Sequence, residues 1–158
     1  MIRFWDIRTG SSTNVLTQHK KGVRGMAMHP RDYTFASVDS DKIRVWKCPE
    51  GDQLRAVSHS DNIVNTLAVN DDNVLVSGSN DGMLNFYDWN SGHNFQSLAP
   101  PVQPGTLSSE ACIFDIKFDR SSMRMITAEC DKTIKIWKEN ENATPETHPI
   151  NFNPNAVY

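Results

Sequence analysis

The chain has 158 residues, a formal net charge of −3 and 22% charged residues. That length suits one ordinary domain, and a slightly acidic chain without a large basic block gives no argument for direct nucleic-acid binding. No apolar run reaches the length of a membrane span, and we expect no signal peptide because the first residues already have a strand pattern. The cysteines Cys48, Cys112 and Cys130 lack metal-ligand spacing, which favours reduced thiols in an intracellular protein.

A five-residue strand pattern recurs four times along the chain. Each copy places apolar, polar, apolar and aromatic residues in succession and ends in a charged residue, which is a β pattern. The copies are residues 2–6, 43–47, 84–88 and 134–138, with the aromatic residues Trp5, Trp46, Tyr87 and Trp137. These aromatic residues recur at intervals of about 41, 41 and 50 positions, and a period slightly above 40 indicates a repeat architecture.

Other strands are predicted around each aromatic strand, in the same order in every repeat. The predicted inner strands are 23–28, 64–69 and 113–118, and the predicted second strands are 34–37, 74–77 and 124–127. Weaker outer strands are predicted near 15–17, 54–57 and 95–98. Just before the outer strands stand Gly10, Gly51 and Gly92, where we expect turns that need positive φ.

The predicted strands divide the chain into blades of four antiparallel strands. The chain begins at the third strand of one blade, two complete blades follow, and the last lacks a clear outer strand. We therefore predict an all-β fold in which residues 1–138 form a partial propeller of about 3.5 four-stranded blades; closed propellers use about four to eight. The Pro-rich residues 99–105 are predicted to be a surface loop. Residues 139–158 are predicted to be an extended polar tail.

The period and the aromatic strand ends resemble WD40 repeats. This resemblance implies a buried hydrogen-bond relay that joins a His before the inner strand, a Ser or Thr on the second strand, an Asp in the next turn and the aromatic residue of the third strand. A Trp N–H only donates, and buried hydroxyls and carboxylates need partners. The matching residues are His19, Ser37 and Trp46; His59, Ser77, Asp81 and Tyr87; and Thr127, Asp131 and Trp137.

The sequence leaves two positions of this relay open. In the first full blade the turn is one residue short, so either Asp39 or Asp41 fits the acidic position. In the last blade the His position falls on Ser109, and we expect a shortened relay there. In the middle blade Tyr87 replaces Trp, and a phenol can still donate a hydrogen bond.

A His, a Ser and an Asp together also raise the alternative of a hydrolase triad. Here the trio recurs from repeat to repeat, which a single active site does not require. The sequence has no G-x-S-x-G nucleophile turn, phosphate loop, His-rich metal motif or dinucleotide fingerprint. We therefore predict that the protein is not an enzyme and has no cofactor, metal site or small-molecule substrate.

Five residues are candidates for partner binding at the mouth of the blades. Lys20, Lys21 and Arg24 form a small basic cluster, and Asn65 and Phe114 occupy the place of Arg24 in the other blades. An exposed aromatic residue is a typical anchor for a partner. A merely solvated face, a buried Phe114 and a weak or indirect RNA contact are the alternatives.

One stretch resembles a particular family. The last aromatic strand and the following Thr147-His148-Pro149 are similar to the C-terminus of the pleiotropic regulator family, WD-repeat components of the spliceosomal NineTeen complex. Residues 63–67, 88–89, 94–96 and 102–105 are similar to that family as well. The resemblance implies a seven-bladed propeller of which this chain is the C-terminal half. It also implies a nuclear scaffold in pre-mRNA splicing whose partners are other spliceosomal proteins.

Two departures from the family pattern accompany this resemblance. The N-terminal blades are absent, and residues 155–158 lack the family's usual basic end. Pairing of two chains to complete one ring is an alternative for the open arc. For the function, the alternative is a generic WD40 adaptor, such as a ubiquitin-ligase substrate receptor or a signalling scaffold.

Overall fold

A computed structural model describes residues 1–40, 42–59, 62–107, 110–144, 146–150 and 152. The described residues contain thirteen strands and no α-helix. In chain order the strands are β1 (Ile2–Asp6), β2 (Ser11–Leu16), β3 (Gly25–Met28), β4 (Thr34–Val38), β5 (Lys42–Lys47), β6 (Gln53–Ser58), β7 (Val64–Val69), β8 (Val74–Ser79), β9 (Leu84–Asp88), β10 (Asn94–Leu98), β11 (Ile113–Phe118), β12 (Arg124–Glu129) and β13 (Ile134–Lys138).

The strands form four antiparallel sheets, which we call blades 1 to 4. Blade 1 is β1–β2, blade 2 is β3–β6, blade 3 is β7–β10 and blade 4 is β11–β13. In every blade, strands that follow each other in the chain are hydrogen-bonded neighbours. The predicted all-β fold, a partial propeller with two complete four-stranded blades, is confirmed.

The aromatic strands have the same register in each blade that contains a second strand. Trp46 lies opposite Phe35, Tyr87 opposite Leu75, and Trp137 opposite Met125. The second-strand hydroxyl residue of the relay lies two positions further along in each case. Because side chains two positions apart share one face of a strand, the aromatic ring and the hydroxyl are diagonal neighbours on that face.

The predicted glycine turns are confirmed, and they are alike. Gly10, Gly51 and Gly92 have φ values of 65°, 82° and 77°. The N–H of each glycine donates to the carbonyl four residues earlier, at 2.8, 2.9 and 2.8 Å. A β-bulge follows in each outer strand, at the step that pairs the aromatic residue or its neighbour. Positive φ is inexpensive only for glycine, so these residues start every outer strand in the same way.

The hydrophobic core is divided into layers between blades. One cluster contains Phe35 and Trp46 of blade 2 with Ile2 and Leu16 of blade 1. A second joins blades 2 and 3, and a third joins blades 3 and 4. Each central blade is therefore apolar on both faces, as expected for sheets stacked face to face.

The two ends of the arc are less covered than its centre. Trp5 is 57% exposed in blade 1, whereas Trp46 is 0% exposed. In blade 4, Ile134 and Ile136 are 73% and 69% exposed, and β13 pairs with β12 alone. These apolar side chains occupy positions that a neighbouring strand or blade covers in blades 2 and 3.

The remaining segments contain no described strand. Residues 99–105 form a loop, as predicted, and the backbone N–H of Gln103 donates to Asp131 Oδ2 at 3.2 Å. Beyond Lys138 the described residues are mostly exposed, and the ring of Phe152 contacts His93 edge-on at 5.4 Å between centroids. Within the described part of the chain, no helix is long and apolar enough to cross a membrane.

Candidate functional site

The relay of blade 2 is a continuous chain of hydrogen bonds. Trp46 Nε1 donates to Ser37 Oγ at 2.7 Å, and that oxygen lies 2.6 Å from His19 Nε2. His19 Nδ1 lies 2.8 Å from Asp39 Oδ2. Since a carboxylate only accepts, Nδ1 carries a proton, and in the neutral imidazole Nε2 accepts from the Ser37 hydroxyl. Every donor of this buried set then has an acceptor.

Asp39 supplies the carboxylate of the blade 2 relay, a position that the sequence left open between Asp39 and Asp41. Its Oδ1 also accepts from the backbone N–H of Lys42 at 2.9 Å, so one side chain both holds His19 and closes the short turn. The alternative, Asp41, lies outside the described residues.

Blade 3 keeps the register but not the relay. Ser77 Oγ and Tyr87 OH are buried, and neither makes a hydrogen bond within the described part of the chain. Burial raises the pKa of the Tyr87 phenol. An indole donates from the side of its ring and a phenol from the tip, so Tyr does not place its polar atom where Trp does. Half-buried His59 is not hydrogen-bonded to Ser77.

The prediction that Asp81 belongs to the blade 3 relay is wrong. Asp81 is exposed and accepts hydrogen bonds from the Ser79 hydroxyl and the Asn62 amide. Its Oδ1 also accepts from the backbone N–H of Met83 at 3.1 Å. The carboxylate therefore organises its own turn and does not reach His59 or Ser77.

Blade 4 replaces the His-based relay with a charged one. Trp137 Nε1 donates to Thr127 Oγ1 at 3.0 Å, and Thr127 Oγ1 donates to Glu129 Oε1 at 2.9 Å. The Lys135 ammonium then bridges Glu129 and Asp131, with 3.1 Å between Nζ and Asp131 Oδ2. The Trp–Thr part of the predicted relay is present, but Asp131 reaches it only through Lys135 and Glu129. Ser109 lies outside the described residues.

Sequence reasoning missed Glu129 and Lys135. Glu129 stands two residues after Thr127, as Asp39 stands two residues after Ser37, and Lys135 is the cross-strand partner of Thr127. The shared spacing of the two carboxylates was a signal in the sequence. The role of Lys135 required the register between β12 and β13.

The charges of blade 4 stabilise one another. The Thr133 hydroxyl, then Lys135 and the backbone of Gln103, lower the pKa of Asp131 to about 2, against the effect of burial. Burial works against the charged form of Lys135, but Glu129 and Asp131 outweigh it and raise the pKa of the ammonium. This network joins β12, β13 and the loop at Gln103.

The candidate partner-binding residues lie where the inner strands begin. Asn65 and Phe114 are the extra residues of β-bulges, since the register shifts between Val64 and Thr66 and between Ile113 and Asp115. Arg24 occupies the matching place, directly before β3. Bulges redirect a side chain and are common beside functional sites, and the sequence pattern alone did not reveal them.

Three of these side chains form a line across blades 2, 3 and 4. Arg24 Nη1 donates to Asn65 Oδ1 at 3.4 Å, and Asn65 Nδ2 donates to the carbonyl of Ile113 at 3.0 Å. Phe114 follows Ile113 directly and is 60% exposed, so the alternative of a buried Phe114 is wrong. We call this line, with the exposed Lys20 and Lys21, the rim.

A close approach of the inner strands keeps the rim narrow. A Cβ on Gly25 would lie 3.2 Å from the Asn65 carbonyl oxygen and 3.2 Å from the Thr66 Cα. Glycine therefore lets β3 approach β7. Among the described residues, no group of His, Cys, Asp and Glu is arranged to hold a metal ion.

Antiparallel four-stranded meanders, stacked face to face and repeated with one register, define the class of β-propeller repeat proteins. Residues 10–47, 51–88 and 102–138 match the family described as WD domain, G-beta repeat. The chain belongs to the WD40 repeat family. The first two matched segments begin with or just before the outer strand of the preceding blade, so sequence repeats and blades are offset by one strand.

The chain is similar to proteins named pleiotropic regulators and to a pre-mRNA-splicing factor. It is 49% identical over 146 residues to the protein pleiotropic regulator PRL2 of Arabidopsis thaliana, covering 92% of this chain and 30% of that protein. It is 48% identical over 132 residues to human pleiotropic regulator 1, covering 84% and 26%. With the pre-mRNA-splicing factor PRP46 of Candida glabrata it shares 42% identity over 147 residues, covering 92% and 34%.

These matches confirm the predicted resemblance to the pleiotropic regulators. The chain spans about a third or less of the length of these relatives.

Proposed function

We propose that this chain is part of a non-enzymatic, nuclear protein-interaction scaffold in pre-mRNA splicing. The observation that carries the proposal is its 42–49% identity, over most of its own length, to pleiotropic regulators and a pre-mRNA-splicing factor. The buried polar residues support it as well, because their contacts hold strands and turns together. We propose other spliceosomal proteins as the partners.

We propose the rim as the surface that binds those proteins. Phe114 offers an exposed aromatic anchor, and the flanking cations Lys20, Lys21 and Arg24 offer charge without deep burial. Protein interfaces typically have such an apolar anchor with a polar surround. The line of hydrogen bonds from Arg24 through Asn65 to Ile113 supports a surface that keeps its shape when a partner arrives.

We further propose that residues 1–138 and 139–158 act as separate parts, a propeller segment and a polar tail. The tail was predicted to be extended, but its described residues include hydrogen-bonded turns at Asn140–Ala143 and Thr144–His148. The mostly exposed tail and the contact of Phe152 with His93 support a tail that lies along blade 3.

The proposal is tested by affinity purification of the tagged chain from nuclear extract, with proteins identified by mass spectrometry. We expect splicing proteins to be enriched, and we expect Phe114→Ser to reduce their recovery. Met123→Ser is the matched control, because Met123 is 67% exposed at the opposite end of the same β11–β12 hairpin.

Three outcomes would count against the proposal. Recovery of ubiquitin-ligase or signalling proteins without splicing proteins would favour a generic adaptor. Equal recovery with Phe114→Ser and Met123→Ser would remove Phe114 from the binding surface. Loss of the splicing proteins after nuclease treatment would indicate that RNA mediates the association.

A further inference from the structure

Two cysteines face each other at the end of blade 4 where β11 begins and β12 ends. Cys112 stands directly before β11, and Cys130 stands directly after β12. The register pairs Ile113 with Glu129, so the next step outward sets Cys112 opposite Cys130. The backbone N–H of Cys130 donates to the carbonyl of Cys112 at 2.8 Å. One backbone hydrogen bond therefore joins the two residues just beyond the last pair of the β11–β12 ladder.

The spacing of such a pair suits a disulfide. In antiparallel sheets, directly opposed, hydrogen-bonded residues have Cα atoms about 5.5 Å apart and project their side chains from the same face. Disulfides join residues whose Cα atoms are about 4.4–6.8 Å apart. The last ladder pair, Ile113 with Glu129, and the single backbone bond beyond it set Cys112 and Cys130 opposite each other before any disulfide forms.

The surroundings of the two thiols differ, which assigns them different roles. Cys112 is buried, and its Sγ accepts a hydrogen bond from Asn65 Nδ2 at 3.3 Å. Burial, and then the neighbouring Cys130, raise the pKa of the Cys112 thiol, whereas Asn65 lowers it. Cys130 is partly exposed in its turn, so an external reagent meets it first.

The equivalent place in blade 3 has the same backbone but no sulfur. There the N–H of Asn80 donates to the carbonyl of Ile63 at 2.8 Å. Blades 3 and 4 thus share this backbone hydrogen bond, and the facing cysteines distinguish blade 4. The third cysteine, Cys48, lies in blade 2 after β5 and has neither of the others in its sheet.

We propose that Cys112 and Cys130 are an oxidation site that closes reversibly to an intramolecular disulfide. With glutathione disulfide as oxidant, the Cys130 thiolate attacks one sulfur and releases a glutathione thiolate. Cys112, deprotonated, then attacks the Cys130 sulfur of the mixed disulfide and releases the second. The two cysteines lose two protons and two electrons, and one glutathione disulfide becomes two glutathione thiols.

The bond would fasten one end of the rim. Cys112 precedes Ile113, whose carbonyl accepts from Asn65, and Phe114 follows. Cys130 precedes Asp131, which the charged network of blade 4 already holds. Closing the pair would tie the bulge that carries Phe114 to that network. The chemistry of the pair does not depend on the role in splicing, so either proposal can fail alone.

The experiment incubates the folded, full chain in glutathione buffers of increasing oxidised fraction, then blocks free thiols with N-ethylmaleimide. Peptide mass spectrometry locates each cysteine. We expect Cys112 and Cys130 to lose alkylation together and to appear in one cross-linked peptide pair lacking two hydrogen atoms. Cys48 should stay alkylated under the same conditions. Addition of dithiothreitol should restore all three thiols.

Two variants keep the result decisive. In Cys112→Ser we expect Cys130 to be trapped as the mixed disulfide with glutathione, because the resolving thiol is gone. In Cys48→Ser we expect the same cross-link as in the parent chain. Cys130 held only as a mixed disulfide in the parent chain, or equal alkylation of all three cysteines at every buffer ratio, would overturn the proposal.

Discussion

Blades 2 and 4 fill the same backbone positions with different chemistry. In blade 2 the chain of hydrogen bonds from Trp46 ends on a buried histidine and one carboxylate. In blade 4 the chain from Trp137 ends on a lysine held between two carboxylates. Both satisfy the indole N–H through a second-strand hydroxyl, so the position needs an acceptor of fixed location but not a particular network behind it.

Blade 3 differs from both, because its aromatic residue does not hydrogen-bond to the second-strand hydroxyl. With Tyr87 in the aromatic position, two buried hydroxyls remain without hydrogen bonds among the described residues. Unpaired buried hydroxyls cost free energy, whereas the apolar contacts of blade 3 to the blades on both sides stabilise it. Blade 3 therefore relies on packing, whereas blade 4 relies more on charge.

The largest expected effect contrasts the two indoles. Trp46→Ala should lower the free energy of unfolding by about 3–5 kcal/mol, because it empties a fully buried site. Trp137→Ala should cost about 2 kcal/mol, since Trp137 is only half-buried at the end of the arc. Urea unfolding followed by circular dichroism measures both. Equal losses would mean that the end blade is as well covered as the centre.

The charged network of blade 4 should be nearly as sensitive as the blade 2 core. Lys135→Ala leaves the buried carboxylates of Glu129 and Asp131 without their cation and should cost about 3 kcal/mol. The matched control is Lys138→Ala, which removes an exposed pair with Glu141 and should cost about 0–1 kcal/mol. The same unfolding assay serves for both, and similar losses would contradict a special role for Lys135.

A smaller effect should appear on acidification. The pKa of Asp131 is about 2 in the folded chain and ordinarily 3.8. The folded state therefore favours the ionised carboxylate, and this stabilisation is present above pH 4 and lost as the pH falls through 2. The melting temperature of the parent chain should fall more steeply between these values than that of Asp131→Asn. Parallel curves would show that Asp131 contributes nothing to acid sensitivity.

The smallest effect should come from the Tyr87 hydroxyl. Tyr87→Phe removes a buried hydroxyl that lacks a hydrogen bond within the described residues. We expect the free energy of unfolding to change by no more than about 0.5 kcal/mol, or to rise slightly, because removing such a group is nearly neutral or stabilising. In Trp46→Phe the lost N–H leaves Ser37 with one partner fewer, and the chain should be destabilised. Destabilisation by Tyr87→Phe would reveal a bond to that hydroxyl.

Much of the fold followed from local pattern. Strands β7, β9, β11 and β13 have the predicted bounds, and the turn glycines have the expected φ. Inner strand β3 is shorter than predicted, beginning at Gly25, because Arg24 and Gly25 both pair with Val38. The candidate site was harder to predict. Repeat spacing assigned Asp81 and Asp131 to the relay, but Asp81 organises its own turn and Asp131 reaches the relay only through Lys135 and Glu129.

The sequence by itself determined which segments form strands, that they meander, and that the sheets stack. Period-two patterning and positive-φ glycines act over a few residues, so they can be recognised without the neighbouring strands. The tertiary structure decided which side chain receives each buried donor, which residues bulge into the rim and which apolar faces stay exposed. Those outcomes depend on side chains from different strands and blades that come into contact only when the sheets assemble. Local sequence patterns therefore do not predict them.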